Sequence, residues 1–234
     1  MLNSVIAWAL GCVDPKGLIV YSVHMSDQRE HILGCACDLY LKHGIEGFSM
    51  RKLAREVGVT APALYRHYDG REELIAEVLR EAHRLFSRYL YGALGAPTPL
   101  ERFIGAGEGY LSFVIDHPRW YAIMHTAPEH LGMDALPGDI AAMQAAISQF
   151  WNDRVRECMQ AGILRHGDPE ETAVTMWAHA HGMVHLYHQG CLHASEDEFR
   201  MLFKASGRRL MAGVATPEFG AELEHLAQEE GVSG

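Results

Sequence analysis

The side chains best suited to bind another molecule fall in one short stretch of the chain, between Ser49 and Arg71. Five cations and two anions give this stretch a net charge of +3, whereas the whole chain carries −10. Cationic side chains at this density attract a phosphate backbone, and an acidic remainder would be repelled by it. The stretch therefore predicts a contact with nucleic acid that is confined to one part of the protein.

Two short helices and a turn are predicted to position these side chains. The first helix carries an apolar stripe at helical spacing and ends at Gly58, because glycine tolerates the positive φ of a sharp turn. The second begins after Thr60, a suitable N-cap, and tolerates Pro62 in its first turn, where the amide has no partner. Leu64 and Tyr68 are four residues apart and are predicted to face the core. This arrangement is a helix-turn-helix, whose second helix enters the major groove of DNA.

The rest of the chain also has a helical hydrophobic period, from residue 26 onward. Asp27 is predicted to cap the first helix and Gly44 to follow its end. Asp69 and Glu72 are expected to form a capping box that opens a long helix. Further helices are predicted near 100–115, from Pro118, and near 139–161, 168–189 and 195–213. No useful alternation typical of strands occurs, so the expected fold is all-α with about nine helices.

Composition and charge divide the chain into regions. Residues 1–99 carry 11 basic and 11 acidic side chains, whereas residues 100–234 carry 9 and 19. The expected organisation is an N-terminal extension outside the fold (1–24), a helix-turn-helix domain (25–73), a helical ligand-binding and dimerisation domain (74–214) and a polar tail (215–234). No Lys or Arg precedes Lys16, so the positively charged region of a secretory signal is missing. The expected natural start is therefore Met25.

Composition also excludes several classes of protein. No apolar run approaches the roughly 20 residues that span a bilayer, so no membrane partner is expected. The five cysteines are scattered and odd in number, which argues against a disulfide framework and favours a reducing, cytoplasmic setting.

The run from Gly47 to Tyr68, followed by Arg71-Glu72-Glu73-Leu74, resembles the tetracycline-repressor family of bacterial regulators. The similarity covers about residues 27–75, including the order and spacing of the helices. The step His117-Pro118-x-Trp120 follows the family plan, and Trp177-x-x-x-His181-Gly182 resembles the subgroup of effector domains named after the residues WHG. The resemblance implies a homodimer that binds a double-stranded DNA operator of inverted half-sites and releases it when a small molecule enters the C-terminal domain.

The resemblance also implies roles for individual residues of the helix-turn-helix. Tyr65, His67 and Arg71 would contact phosphate, and the start of the first helix of the motif, with Ser49 and Arg51, would approach it. The exposed start of the recognition helix consists of Thr60, Ala61, Pro62 and Ala63. Because the last three carry no side-chain hydrogen-bond donors, direct readout of bases would fall on Arg51, Thr60, Arg66 and apolar contacts with thymine methyl groups.

A mostly apolar cavity for the effector is expected among the fifth, seventh and eighth helices. Aromatic bodies exclude water there, while a phenol, an indole and an imidazole offer a few polar contacts. The alternative is that these residues are ordinary core. The residues predicted to line the cavity are Phe103, Tyr110, Phe113, Trp120, Met124, Phe150, Trp177 and His181.

The last two long helices carry more apolar residues than one face can bury. Pairing them with a two-fold mate in a four-helix bundle would bury the surplus, which predicts a homodimer. The surplus consists of Met176, Trp177, Met183, Leu186, Tyr187, Phe199, Leu202, Phe203 and Leu210.

Histidines provide the main alternative function. Ten of the fifteen follow residue 100, and His181, His185 and His188 share one helix face. A metal- or haem-responsive regulator would need three or four converging ligands, and histidines bonded within a core or dimer face are the simpler explanation. His181 and His185 have the spacing of the two histidines in a zinc protease helix, but the Glu that follows the first histidine there is missing. No other catalytic motif is present, and no cofactor is expected. A helical small-molecule-binding or catalytic protein with a vestigial helix-turn-helix is the remaining alternative.

Overall fold

Helices make up almost all of the regular structure. The computed structural model of the protein describes residues 18–221, with side chains described from residue 28. Within that range the only extended pairing is an isolated bridge between Leu164 and Ala215. The nine α-helices there are α1 (Leu18–Gly47), α2 (Met50–Val57), α3 (Ala61–Tyr65), α4 (Arg71–Tyr91), α5 (Pro99–Asp116), α6 (Pro118–Met124), α7 (Gly138–Gln160), α8 (Pro169–His188) and α9 (Glu196–Val214), with short 3-10 helices at Gly92–Gly95 and Pro128–Leu131. The predicted all-α fold of about nine helices is confirmed.

The first helix differs from its predicted bounds at its start. α1 begins at Leu18, so residues 18–24, which were expected to lie outside the fold, continue the helix upstream of Asp27. Near its end, Gly44 has φ 64° and breaks the helical geometry where the sequence predicts a C-terminal glycine. The rest of the predicted extension and residues 222–234 of the predicted tail lie outside the described residues.

Capping side chains set the starts of several helices. Thr98 and Glu101 form a reciprocal capping box at α5, as do Ser195 and Glu198 at α9. At α4 the predicted partner Glu72 was wrong by one residue. The amide of Asp69 donates to Glu73 instead, because α4 begins at Arg71 and its third residue is therefore Glu73.

The chain divides into two units inside α4. The first contains the residues up to Glu81 together with Thr126–Ala135, and the second contains Ala82–His125 and the residues from Leu136 onward. The predicted boundary between residues 73 and 74 lies eight residues earlier. Within the first unit, the Tyr40 hydroxyl donates to the His130 carbonyl of Thr126–Ala135 at 2.9 Å.

The core of the first unit holds α1, α2 and the start of α4 together. Its fully buried side chains include Leu33, Leu53 and Ile75. At its edge, Arg29 of α1 donates to Glu81 at 3.1 Å and also to Glu77, two carboxylates one turn apart on α4. The base of α4 is thus fixed to α1 by both apolar burial and paired charge.

In the second unit, α4 and α5 approach each other closely at Gly109. A Cβ atom built on Gly109 would lie 2.4 Å from the Tyr89 carbonyl oxygen, which is closer than any side-chain carbon can approach. Because the obstacle is backbone, no rotation of a side chain could relieve the clash. Gly107, two residues earlier on α5, has no atom within 4 Å of its Cβ position.

Replacing Gly109 by alanine is therefore expected to destabilise the protein by about 1–3 kcal/mol, since the two helix backbones must separate. Gly107→Ala is the matched control, and it should raise the stability by roughly 0.5–1 kcal/mol because alanine favours helix. Urea denaturation followed by circular dichroism would measure both. Equal effects of the two substitutions would show that the close contact at Gly109 is absent.

Candidate nucleic-acid interface and ligand cavity

The helix-turn-helix of the first unit is held by local hydrogen bonds. The Ser49 hydroxyl caps α2 by accepting from the Lys52 amide at 3.2 Å. Gly58 ends α2 in the left-handed region, with φ 77° and ψ 28°. The Val59 amide then donates to the Ala54 carbonyl at 2.9 Å. These bonds set the direction in which α3 leaves the turn.

α3 is fixed to the core by its own residues and by the turn that follows it. Leu64 is 1% exposed and Tyr68 is 8% exposed, as predicted for core positions. Thr60 occupies the N-cap position, but its side chain makes no capping hydrogen bond. Its hydroxyl is therefore not used to hold the helix.

None of the ten residues predicted to contact DNA is buried. They lie at the N-cap and start of α2, at the N-cap of α3, along α3, in the turn after it and at the start of α4, all within one small domain. Tyr65 keeps 54% of its surface exposed although it is aromatic. Exposed residues among the ten are Arg51, Thr60, Pro62, Tyr65, Arg66, His67 and Arg71, and partly exposed ones are Ser49, Ala61 and Ala63.

The cations of this region do not all have the same environment. Lys52 donates to the Gly47 carbonyl at 2.7 Å, so its ammonium supports the start of the motif from within. Arg71 makes a long contact of 3.4 Å with the Ile45 carbonyl and stays exposed. Of the two, Arg71 is the better placed to reach a phosphate.

A cavity of about 520 Å³ lies among α5, α7, α8 and α9 of the second unit. Its lining is mostly aliphatic and aromatic. Phe103, Tyr110 and Trp177 are the predicted residues that line it. Sequence reasoning missed Trp151, Phe203 and several aliphatic side chains of the same wall, whose helical spacing is shared by ordinary core residues.

The structure places the other predicted lining residues elsewhere. Phe113 is fully buried against Phe86, with ring centroids 4.8 Å apart. Trp120 is buried beneath Arg119, and Phe150 packs against Tyr91 and Arg154. Met124, at the end of α6, is partly exposed, and His181 belongs to a neighbouring polar cluster.

That polar cluster joins the cavity wall to α8 through two phenols and an imidazole. The Tyr110 and Tyr121 hydroxyls lie 3.2 Å apart, and the Tyr121 hydroxyl lies 2.6 Å from Nδ1 of His181. When His181 is neutral and Nδ1 carries no proton, Tyr110 donates to Tyr121 and Tyr121 donates to His181. His125 is held beside them, because its Nδ1 donates to the Tyr121 carbonyl at 2.8 Å.

Burial disfavours the charged forms of the side chains in this cluster. It raises the pKa of Tyr121 to about 12, and it raises the pKa of Tyr110 further. Burial, reinforced by nearby His185, lowers the pKa of His181 and of His188. The pKa of His125 is lowered by the same desolvation, although the residue as a whole is exposed. Tyr121 was missed by sequence reasoning, which took its neighbour Trp120 as the ligand contact.

The histidines do not form a recognisable metal centre in the described part of the chain. No three His, Cys, Asp or Glu side chains converge there as the ligands of a metal would. His181, whose spacing from His185 suggested a ligand pair, bonds to Tyr121 instead. Also among residues 18–221, no helix has the length and apolarity needed to cross a bilayer.

Two known protein families match the chain. Residues 32–78 match the family described as "Bacterial regulatory proteins, tetR family". Residues 103–210 match the family described as "Tetracyclin repressor-like, C-terminal domain". The HTH-type transcriptional repressor KstR2 of Mycolicibacterium smegmatis (strain ATCC 700084 / mc(2)155) is 30% identical over 81 residues, which cover 34% of this chain and 40% of that protein.

Solved structures share the fold along most of the chain. The ketosteroid transcriptional regulator KstR2 of Mycobacterium tuberculosis superposes with a TM-score of 0.65 at 16% identity, over 80% of this chain and 95% of that one. AibR, solved in complex with isovaleryl coenzyme A and operator DNA, superposes with a TM-score of 0.62 at 21% identity, over 80% and 97% of the two chains. At these identities the similarity concerns the fold.

The cluster around Tyr121 predicts a loss of stability in mild acid. The pKa of His181 is lowered in the folded state, so the unfolded chain binds a proton there first as the pH falls below the ordinary value of 6.5. His181→Asn keeps an acceptor for Tyr121 but does not titrate. The variant should therefore lose less stability than the wild type between pH 7.5 and pH 5.5 in urea denaturation. The same loss in both proteins would contradict this assignment.

Proposed function

The chain belongs to the tetracycline-repressor family of transcriptional regulators, and we propose that it is a homodimeric, ligand-responsive repressor. The two recognition helices of the dimer read successive major grooves of an inverted-repeat operator. An apolar or aromatic small molecule in the cavity of the second unit releases the DNA. The exposed surface formed by α2, α3 and the turn after α3, with its cations on α2 and in that turn, is the observation that carries the DNA-binding part of this proposal.

The geometry of α3 supports a division of labour in DNA recognition. Tyr65 is the last residue of α3, and His67 and Arg71 follow the helix. All three are exposed and contact phosphates, which positions the domain on the duplex. The start of α3 presents the Thr60 hydroxyl and the carbon surfaces of Ala61 and Pro62. Such carbon surfaces favour thymine methyl groups, so base discrimination rests on apolar contacts and on the exposed arginines Arg51 and Arg66.

Arg71→Ala tests the phosphate contact. Loss of one phosphate contact should weaken binding to all DNA sequences alike and reduce the slope of log K against log salt by about one unit. Arg156→Ala, an exposed arginine of α7 in the second unit, is the matched control and should leave the slope unchanged. Fluorescence anisotropy titrations at several salt concentrations provide the measurement. An unaltered slope for a folded Arg71→Ala protein would remove Arg71 from the interface.

Exposed apolar residues on α8 and α9 support the homodimer. The two helices leave Val174, Trp177, Leu186, Met201 and Leu202 at least 38% exposed in one protomer. Pairing of these faces with the same faces of a second copy would bury them in an isologous four-helix bundle. The two-fold axis would then match that of an inverted-repeat operator.

Sedimentation should report a particle of twice 26.1 kDa. Because Leu202 is exposed in the protomer, Leu202→Glu should leave the fold intact but dissociate the dimer and weaken operator binding by at least tenfold. Leu94→Glu replaces another exposed leucine, outside α8 and α9, and should change neither property. A monomeric wild-type protein at micromolar concentration would contradict the dimer and the palindromic operator together.

An effector of low polarity fits the cavity of the second unit. Its volume lies within the range of small-molecule sites, and three predicted residues, Phe103, Tyr110 and Trp177, line it. Among proteins of the same fold, KstR2 is described as a ketosteroid transcriptional regulator and AibR was solved in complex with isovaleryl coenzyme A, so binding of a small molecule has precedent in this architecture. The effector releases DNA only to the extent that it binds the DNA-free conformation more tightly.

A further inference from the structure

We propose that the effector cavity takes a slender apolar molecule that lies along α5, and that Phe219 closes one end of the cavity and so limits the length of this molecule. The inference rests on the proposed function, because it specifies the ligand of the same cavity. The observations that carry it are the elongated shape of the cavity, the hydrogen bonds of its polar lining residues and the attachment of Phe219 beyond the end of α9.

The cavity is elongated along two of its helices. On α5 its lining runs from Leu100 to Leu111, and on α9 it runs from Phe203 to Met211. At the helical rise of 1.5 Å per residue, these two stretches are about 12–16 Å long. A sphere with the volume of the cavity, 520 Å³, would be only about 10 Å across, which is shorter than either stretch. A slender molecule therefore fits this shape better than a compact one.

Contacts between the helices define the two ends of the cavity. At one end, Tyr110 of α5 stacks with Phe203 of α9, with ring centroids 6.3 Å apart. At the other end, Leu100 and Phe219 pack against one buried cluster, to which Met211 near the end of α9 belongs. A molecule that lies along α5 would thus have the two stacked rings at one end and the Phe219 ring at the other.

Polar groups of the lining are bonded to other groups of the protein. They are the hydroxyls of Tyr110 and Tyr121 at 3.2 Å, His179 Nε2 and the Ser206 hydroxyl at 2.9 Å, and the Lys204 ammonium and a Glu108 carboxylate oxygen at 2.9 Å. In the described part of the chain, no buried side-chain nitrogen or oxygen lacks a partner. An apolar body is therefore favoured in the cavity, because a polar one would lose its hydrogen bonds to water without replacement.

Phe219 is attached to the second unit by pairing between the chain after α9 and the loop between α7 and α8. Leu164 and Ala215 form an isolated antiparallel bridge, and both residues are buried. The Thr216 hydroxyl donates to the Gly162 carbonyl at 2.7 Å. The sequence predicts a polar tail from residue 215, but this pairing makes the start of that tail part of the folded unit.

Thr216 also fixes the turn that carries the Phe219 ring. Its hydroxyl accepts from the Phe219 amide at 3.4 Å, and its carbonyl accepts from the Gly220 amide at 2.8 Å. Phe219 is partly buried and lines the cavity, whereas its neighbour Glu218 is exposed and does not. The turn therefore directs the aromatic ring, and not the carboxylate, toward the cavity.

Phe219 differs from the rest of the wall in the element that carries it. Every other lining residue in the described part of the chain belongs to α5, α7, α8 or α9. A change at Phe219 therefore alters the length of the cavity while the four helices that form its sides stay in place. This separation makes Phe219 a specificity-determining residue that can be tested by substitution.

Equilibrium dialysis of the straight-chain alcohols from 1-hexanol to 1-hexadecanol against the full-length protein, without DNA, measures the length limit. Each methylene group that enters the cavity should tighten binding about fourfold, and the gain should cease once the chain reaches Phe219. In Phe219→Ala the gain should continue for about two to four further methylene groups, because the lost ring leaves space. In Phe219→Trp it should cease at a shorter chain. Glu218→Ala, on the same turn but outside the lining, is the matched control and should keep the wild-type limit.

The opposite shifts expected for Phe219→Ala and Phe219→Trp separate a length limit from a general loss of stability, which would weaken binding of all the alcohols in both. If Phe219→Ala does not fold, the shorter limit of Phe219→Trp still decides. The same limit in the wild type and in a folded variant would overturn the role of Phe219 but leave the ligand cavity standing. Absence of binding in all four proteins would overturn the apolar ligand as well. Operator titration without any alcohol tests DNA binding separately.

Discussion

The surface that is proposed to read DNA depends on a helix too short to be stable by itself. α3 has five residues, whereas isolated helices below about 12 residues are marginal in water. Its conformation follows from burial of Leu64 and Tyr68 and from the left-handed turn at Gly58. These three residues hold α3 on its buried side. The Thr60 side chain, at the start of the helix, makes no capping hydrogen bond.

Whereas α3 is held by buried side chains, the second unit contains a cavity, a space that core side chains do not fill. Its polar groups bond to each other: Tyr110 to Tyr121, and Tyr121 to His181. With those atoms satisfied, the cavity can remain largely apolar without a cost for unpaired donors or acceptors.

Sequence periodicity predicted the elements better than it predicted the cavity. The helices and the core roles of Leu64 and Tyr68 follow from local spacing, and the structure agrees. Local spacing does not show which of Phe103 and Phe113 on α5 lines the cavity. Phe103, Gly107 and Tyr110 recur at intervals of four and three residues and line the cavity, whereas Phe113 is turned toward Phe86. Only knowledge of the neighbouring helices reveals which of two apolar faces meets a partner and which meets a space.

The errors at the N-terminal side have a similar origin. A capping box depends on which residue is the first of the helix, so a shift of one residue exchanged Glu72 for Glu73. The start of α1 was expected near Asp27 because that residue type caps helices well, yet Leu18 begins it. Neither the register of a cap nor the upstream extent of a helix is determined by residue type alone.

The contact at Gly109 restricts the movement of α5, the helix that carries several of the cavity-lining residues. α5 lines the cavity through Gly107 and Tyr110, and between them Gly109 lies against the backbone of α4. Side chains can rearrange to absorb small movements, but two backbones in contact cannot. A ligand that displaces α5 must therefore either open this contact or move Tyr89 and the helix that carries it.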